Sequence, residues 1–274
     1  MGEEKNRIKL IASDIDGTLV PDGSDRINPE IFEVIRALKK QGTHFVAASG
    51  RQWKSIERLF APVKDDIFYI GENGAYVGAR GRELFTVPME KADVAELIRD
   101  IRTLPECDMM LSGRDVIYIE SRNQTFIDYL ILGYHNEVKQ VESLDEVDET
   151  ILKVSIYHQG YNAYGTAGGL IVPKWGDRLK VVTAGREWLD IMEPQVNKGA
   201  ALREIQESLG VTPEETMAFG DNLNDMELLS QAEYSYAIGN AREEIKAAAK
   251  YLADTNVNDG VLKVIRTLLE RKEK

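Results

Sequence analysis

Apolar residues fall in short blocks that alternate with helical stretches at both ends of the chain. Ile8, Leu10, Ile11 and Ile15, within Arg7–Asp16, predict a buried strand running into the turn Asp16-Gly17. Asn28-Pro29-Glu30 has the form of a helix start, with Asn28 as cap and proline at the first position. Ile31, Ile35 and Leu38 share one face of that helix, and Gly42 stops it. His44–Ala48 reads as a second strand, Ser49-Gly50-Arg51 opens a helix through Leu59, and Asp66–Ile70 reads as a third strand. Towards the C-terminus, Asn197–Leu209 predicts a helix closed by Gly210, and Thr212-Pro213-Glu214-Glu215 a capping box. Strands follow at Thr216–Gly220, Tyr234–Ile238 and Tyr251–Ala253, with helices at Met226–Ala232 and Val261–Leu269. Alternation of this kind predicts an α/β fold built on a parallel, doubly wound sheet.

The middle of the chain has a different rhythm. Val94, Leu97, Ile98, Ile101 and Leu104 make Pro88–Leu104 amphipathic. Val116–Glu120 and Ile151–Tyr157 read as strands, with a helix Gln124–Tyr134 between them. Lys180–Thr183 and Trp188–Met192 flank Ala184-Gly185-Arg186 as a hairpin, and hairpin-linked strands belong to an antiparallel sheet. Residues 84–192 are therefore expected to form an inserted α+β domain, with 1–83 and 193–274 forming the core. The glycines of Tyr164–Gly169 argue against a helix there.

Composition narrows the class. Hydrophobic residues at 43% and charged residues at 29% suit a soluble globular protein. No run approaches the roughly 18 apolar residues of a membrane span. The opening MGEEKNRIKL lacks the apolar stretch of a signal peptide, so a cytoplasmic location is expected. The single cysteine, Cys107, permits no internal disulfide, which fits a reducing compartment. A formal charge of −12 disfavours nucleic acid and anionic lipid and favours a small-molecule role. It also means that a site for phosphate must be made locally positive by a metal, a lysine or helix N-termini.

Candidate chemistry sits where strands end. Asp14 and Asp16 stand two apart on an extended chain, so both carboxylates point towards the crevice where open α/β sheets bind ligands. Like charges so close call for a cation or a shared proton, and Mg²⁺, a hard ion taking oxygen ligands, suits them. Asp-Gly is equally common turn chemistry, so this segment alone does not decide. Gly220-Asp221-Asn222-Leu223-Asn224-Asp225 adds Asp221 as a third carboxylate after a strand, with Asn224 or Asp225 expected to cap the next helix. Ser49 and the amides after it can hold a phosphate oxygen, or Ser49 can be an ordinary cap. Lys198 lies in the first turn of its helix, where a cation opposes the helix dipole, a mild cost that hints at a use.

In this order, Asp14-x-Asp16-Gly17-Thr18, Ser49-Gly50-Arg51, Asn197-Lys198-Gly199 and Gly220-Asp221-x-x-Asn224-Asp225 resemble the four motifs of the haloacid dehalogenase superfamily. The match is to its Cof-type sugar-phosphate phosphatases, which carry a large α+β cap between the second and third motifs. Asn73-Gly74-Ala75, Gly239-Asn240-Ala241 and Asn258-Asp259-Gly260-Val261 are softer likenesses. The resemblance implies a Rossmann-like core with Asp14 as the nucleophile that carries the phosphoryl group and Asp16 as general acid, then base. Mg²⁺ would be held by the Asp14 carboxylate, the Asp16 backbone carbonyl and Asp221. Ser49, the Gly50 amide, Lys198 and Asn224 would grip the phosphoryl group. Asp225 would orient Lys198 or a metal-bound water, and Arg51 would contact phosphate or form a structural ion pair.

An acid two residues after the nucleophile points to phosphatases and phosphomutases rather than dehalogenases or transport ATPases. The expected substrate is a small phosphate monoester, with phospho-sugars foremost and nucleotides or pyridoxal phosphate open. A phosphomutase using the same site is the nearest rival, and a phospho-ligand-binding module without chemistry a more distant one. Arg114, Asp115, Arg178 and Arg186 are candidates for the leaving-group pocket. A monomer or weak homodimer is expected.

Overall fold

The computed structural model describes residues 8–21, 24–184 and 186–272, so Arg7 of the first expected strand and Gly185 of the expected hairpin lie outside the described residues. In chain order the core opens with β1 (Leu10–Asp14), α1 (Glu30–Lys40), β2 (His44–Ala48), α2 (Trp53–Leu59), β3 (Phe68–Gly71), β4 (Tyr76–Ala79) and β5 (Arg82–Thr86). The second part runs α3 (Lys91–Ile101), β6 (Cys107–Gly113), β7 (Ile117–Ile119), α4 (Gln124–Asp128), β8 (Val138–Gln140), β9 (Ile151–His158), α5 (Ala163–Trp175), β10 (Lys180–Ala184) and β11 (Trp188–Met192). The chain then returns through α6 (Lys198–Leu209), β12 (Thr216–Gly220), α7 (Met226–Ser230), β13 (Tyr234–Ala237), α8 (Glu243–Ala248), β14 (Tyr251–Leu252) and α9 (Gly260–Lys272).

The first sheet has the order β14-β13-β12-β1-β2-β3-β4-β5. It is parallel from β14 to β3 and antiparallel across β4 and β5. Its central strands β1, β2 and β12 are buried on both faces, as a parallel sheet between helices requires. Within β1, Ile11 packs with Ile31, Ile35 and Leu38 of α1 and Val261 and Ile265 of α9. Leu10 and Ala12 pack on the opposite face with Leu202 and Ile205 of α6 and Leu228 of α7. The chain leaves β1 towards β2 and β3 on one side and returns on the other through β12 to β14. The strand order therefore reverses between β1 and β12, and a crevice opens at their C-terminal ends.

The second sheet has the order β10-β11-β9-β6-β7-β8 and is antiparallel except for the parallel pair β7–β8. Residues 84–86, placed in the insertion by the sequence, still belong to β5 and hence to the first sheet. Leu97, Ile98 and Ile101 of α3 and Ala163, Ala167, Ile171 and Trp175 of α5 cover one face.

Two expectations need correction. The glycine-rich stretch does not interrupt a helix, because α5 runs unbroken through it to Trp175. Ala163, Ala167, Ile171 and Trp175 recur every fourth residue and bury completely, so packing on the sheet overrides propensity. Pro173 and Gly169, whose carbonyl loses its helical donor to the proline, both lie on the exposed side, where water can replace that bond. The expected helix Gln124–Tyr134 is α4 followed by a π-helical turn, Tyr129–Gly133, closed by the Tyr134 amide donating to the Tyr129 carbonyl at 3.2 Å.

If the buried side of α5 is what holds it, Ile171→Ala should lower stability by about 2–5 kcal/mol in urea unfolding. Leu170→Ala, on the outer side, should cost less than about 0.5 kcal/mol. Equal losses would show that the helix is not seated as described.

Candidate active site

Four loops converge on the crevice. Asp14 ends β1, Asp221 follows β12 directly, Ser49 follows β2, and Lys198 opens α6. Gly17 makes the convergence possible. It holds φ +82°, and a Cβ there would lie 2.3 Å from the Asp221 carboxylate. Thr18 Oγ1 donates to Asp221 Oδ1 at 2.6 Å, fixing that carboxylate against the first loop. Asn240 holds the same turn by donating to the Gly17 carbonyl at 2.8 Å.

The helix-start expectations change in detail. Asp225 stands at the N-cap position of α7, as expected, but makes no side-chain capping bond there; Asn222 caps the turn before it, its side chain accepting from the Leu223 amide at 2.8 Å. The Asp225 carboxylate folds back to accept from the Asp221 and Asn222 amides at 3.0 and 3.1 Å. Ser49 caps no helix; its hydroxyl accepts from the Arg51 amide at 3.1 Å, and α2 begins only at Trp53.

Lys198 is 1% exposed, and its Nζ donates to Asp14 Oδ1 at 2.5 Å and Asp225 Oδ1 at 2.7 Å. Burial works against its charge, but the Asp14 and Asp225 carboxylates outweigh burial and raise its pKa. For Asp14 the balance runs the other way. Burial, then the Asp225 charge, push its carboxyl well above the ordinary range, against the pull of Lys198. One oxygen each from Asp14, Asp221 and Asp225 lie within 4.8 Å of one another, all three residues buried. With all three carboxylates ionised, one ammonium among them would leave an excess of two negative charges, which a divalent cation would match. The donors are all hard oxygens, so the residues present fit such an ion. This group contains Asp225 in place of the Asp16 expected from the sequence, whose proposed contribution was its backbone carbonyl.

The Asp16 side chain turns to Arg51, whose Nε donates to Asp16 Oδ2 at 2.8 Å and Nη2 to Oδ1 at 2.5 Å. Arg51 is 7% exposed and also donates to the Ser24 carbonyl at 2.9 Å. Burial opposes its charge, and the bond to Asp16 more than restores it. Of the two roles open to Arg51, the structure displays the ion pair. Ser49 Oγ lies 3.5 Å from Asp16 Oδ2. Asn224 Nδ2 donates to Asn73 Oδ1 at 3.1 Å, and Asn73 Nδ2 to Asp190 Oδ2 at 2.8 Å.

Sequence reasoning missed the charges that join the two sheets. Lys153, 2% exposed on β9, donates to the Gly50 carbonyl and pairs with Glu72, both at 2.7 Å, and with Asp190 of β11 at 3.2 Å. Burial opposes its charge too, and Asp190 and Glu72 raise its pKa. The sequence signal was there: Lys153 and Ser155 interrupt an otherwise apolar strand. Asn73-Gly74-Ala75 also has its reason, since Gly74 has φ +110° and a Cβ there would lie 2.4 Å from the Asn197 carbonyl oxygen.

Between the sheets lies a cavity of about 350 Å³, lined by Asp14, Asp16, Ser49, Gly50, Arg51 and Asn224 at one end. Met110, Ile117, Leu130 and the rings of Tyr129, Tyr134 and Trp188 also line it. Of the four proposed pocket residues, Arg186 lines this cavity. Arg114 pairs with Glu83 at 2.8 Å, Asp115 lies 4.0 Å from Lys54, and Arg178 pairs with Asp93 and lies over the Trp175 ring.

A parallel sheet with a carboxylate cluster at its switch point and an antiparallel sheet over it defines a class of capped phosphoryl-group hydrolases. The chain matches the haloacid dehalogenase-like hydrolase family over residues 11–265 and belongs to it, as an enzyme of its phosphatase branch. It is 29% identical to the 5-amino-6-(5-phospho-D-ribitylamino)uracil phosphatase YbjI of Escherichia coli, covering 97% of each chain. The phosphatase of the same description from Bacillus subtilis, YcsE, is 27% identical over 94% of this chain and 95% of its own. Among solved structures, one from Eubacterium rectale superposes with a TM-score of 0.84 at 36% identity, covering 95% of this chain and 99% of the other. Among the described residues no helix is long and apolar enough to cross a membrane.

Removing one member of a buried charge group leaves the others unpaired. Lys153→Met should therefore lower stability by about 3–5 kcal/mol in urea unfolding. Lys91→Met, which breaks an exposed pair with Asp148, should leave the midpoint essentially where it was. A Lys153→Met protein as stable as the parent would contradict the buried network.

Proposed function

We propose that the protein is a Mg²⁺-dependent phosphatase of small phosphate monoesters that passes its phosphoryl group through an aspartyl phosphate on Asp14. The observation that carries this reading is the Asp14–Lys198–Asp225 group beside Asp221 at the sheet's switch point. Asp14, Asp221 and the Asp16 backbone carbonyl would hold the ion, with Asp225 close by. When bound, the ion neutralises charge on the phosphoryl oxygens and lets an anionic nucleophile approach.

Asp14 attacks phosphorus in line, and the alkoxide leaves with a proton from Asp16. Asp16 then takes a proton from the water that opens the aspartyl phosphate. Ser49, the Gly50 amide, Lys198 and Asn224 grip the phosphoryl group, while Asp225 holds Lys198 in place. The esters named for the Escherichia coli and Bacillus subtilis relatives head the list of substrates to try, beside phospho-sugars. The lone Cys107 supports a cytoplasmic enzyme, working as a monomer or weak dimer. The phosphomutase alternative shares every group at the phosphoryl end, so released inorganic phosphate, measured beside isomerised product, separates the two.

Asp14→Asn should lower phosphate release by at least about a thousandfold with the far-ultraviolet spectrum unchanged. Asp16→Ala should slow release by about 10²–10⁴-fold for alkyl phosphates and much less for nitrophenyl phosphate, whose leaving group needs no proton. An Asp14→Asn protein that keeps most of its activity would refute the nucleophile assignment.

Mg²⁺ should raise the melting temperature in a saturable way, and Asp221→Asn should abolish that rise. A melting temperature indifferent to Mg²⁺ in the parent protein would remove the ion from the proposal.

A further inference from the structure

One chain of hydrogen bonds reaches the phosphoryl end of the cavity from the overlying sheet, and the chemistry above gives it no task. It starts at Asp190 on β11, which is 3% exposed and whose hydrogen-bonding neighbours are all donors. Lys153 Nζ lies 3.2 Å from its Oδ2, Asn73 Nδ2 donates to the same oxygen at 2.8 Å, and Ser155 Oγ donates to Oδ1 at 2.7 Å. It ends at Asn224, whose Nδ2 donates to Asn73 Oδ1 at 3.1 Å and which lines the cavity with Asp14, Asp16 and Ser49. The Asn224 side chain makes no other hydrogen bond among the described residues. Asn73 is buried between the two ends and is not among the residues lining the cavity, so it reaches a ligand only through a neighbour.

The direction of this relay is set from the Asp190 end. A carboxylate accepts and cannot donate, so the edge of the Asn73 amide that faces Asp190 must be its Nδ2. The edge left for Asn224 is then Oδ1, an acceptor, and Asn224 must meet it with its own Nδ2. An asparagine amide is nearly symmetric in shape, so without such a partner either edge could face a neighbour. For a phosphoryl group the two edges are opposites, since an N–H stabilises an anionic oxygen and a carbonyl oxygen repels it. One N–H of Asn224 Nδ2 is spent on Asn73, and the other remains.

The residue type at position 73 follows from the same need. Its backbone is left-handed, with φ +56° and ψ 18°, a conformation that glycine, asparagine and aspartate tolerate best. Of these three only asparagine donates to Asp190 and accepts from Asn224 at once. Gly50 leaves the space, because a Cβ there would lie 3.0 Å from Asn73 Oδ1 and 3.2 Å from Nδ2. The Asn73 backbone N–H donates to the Ser49 carbonyl at 3.0 Å, which ties the same loop to the start of the second motif.

We infer that Asn73 and Asp190 are positioning residues for phosphoryl-group binding: anchored by Lys153, they fix the Asn224 amide so that its remaining N–H is turned to the phosphoryl oxygens. This rests on the phosphatase reading for the group that Asn224 meets. Asp190, Lys153 and Ser155 belong to the antiparallel sheet, whereas Asn73 and Asn224 belong to loops of the parallel one. The donor that the parallel sheet offers to phosphate therefore depends on a carboxylate of the other sheet.

A double-substitution cycle on the full-length protein with Mg²⁺ tests it. Asn73→Gly removes the amide while suiting the left-handed backbone, and it is made alone and together with Asn224→Ala. Two readouts are taken: the dissociation constant of inorganic phosphate by calorimetry, and kcat/KM for nitrophenyl phosphate. Asn224→Ala alone should weaken both by about ten- to a hundredfold, the loss of one hydrogen bond to a charged group. Asn73→Gly alone should weaken both by about tenfold, but by less than about twofold where Asn224 is already alanine. Independent structural damage would instead add in full, so an equal loss from Asn73→Gly in both backgrounds would overturn the inference. So would the absence of any loss from Asn73→Gly or from Asn224→Ala alone. Should Asn73→Gly fail to fold, Asp190→Asn takes its place in the cycle, because a carboxamide there can face Asn73 with either edge. The same pattern is then expected, and the same results overturn it. Hydrolysis by the parent with no coupling between the two positions leaves the phosphatase reading standing and the relay refuted. Coupled losses of phosphate affinity in a protein that hydrolyses no ester leave the relay standing and the phosphatase reading refuted.

Discussion

Everything at the sheet's crevice is arranged around one buried ammonium. Lys198 is almost without contact with water, yet it is held between Asp14 and Asp225 with Asp221 close by. At an effective dielectric of about 20, two unit charges roughly 4 Å apart interact by about 4 kcal/mol. Three carboxylates packed this tightly would therefore drive one another apart, or take up protons, without a cation among them. The position of Lys198 in the first turn of α6, unfavourable for the helix alone, follows from that need. The backbone follows it too: Gly17 leaves room for the Asp221 carboxylate, and Asp225 spends its second oxygen on the amides that shape the loop after β12. The sheet topology supplies the rest, because only at the switch point do β1 and β12 deliver two acidic loops side by side.

A second buried ammonium ties the overlying sheet to this arrangement. Lys153 comes from the antiparallel sheet, while Glu72 and the Gly50 carbonyl belong to loops of the parallel one. Asp190 completes the link and passes it through Asn73 to Asn224. The loop that would grip the phosphoryl group is thus braced from the part of the molecule that shapes the leaving-group cavity. Such a group stabilises little by itself, since burying its charges costs about as much as their attraction returns. What it does supply is register. A shift of the upper sheet would leave buried charges without their partners, so the two halves of the cavity meet in one way.

Where local rules act alone, the sequence was readable. Strand ends at Ala48 and Gly220, the capping box at Thr212 and the left-handed stop at Gly210, with φ +64°, follow from short-range chemistry. The carboxylates were legible because polar groups at the ends of apolar strands stand out, and Lys198 because a cation in the first turn of a helix opposes the dipole. The helix α5 was not, because glycine penalises a helix locally while the compensating gain, close packing of Ala163, Ala167 and Ile171 on the sheet formed by β9, β10 and β11, is a tertiary one that propensity does not record. The π-helical turn that places Tyr129 and Tyr134 at the cavity gives no periodic signal of its own. Lys153 left a trace, as a charge inside an apolar strand, but its partners Glu72 and Asp190 lie elsewhere in the chain, and which groups it would meet is not a property of the residue type.

The net charge of −12 raises a final question, how an acidic protein receives a phosphate dianion at all. Buried cations do surround the cavity, but each is already committed: Lys198 to Asp14 and Asp225, Lys153 to Glu72 and Asp190, Arg51 to Asp16. Without a metal, the phosphoryl end offers well-placed donors but no surplus of positive charge, and Asp14 is itself pushed towards its protonated, non-nucleophilic form. On the proposed reading a divalent ion answers both difficulties together. Held by Asp14, Asp221 and the Asp16 carbonyl, it would supply the missing charge and favour the ionised Asp14 carboxylate. Positive charge at the phosphoryl end is then conditional on the ion.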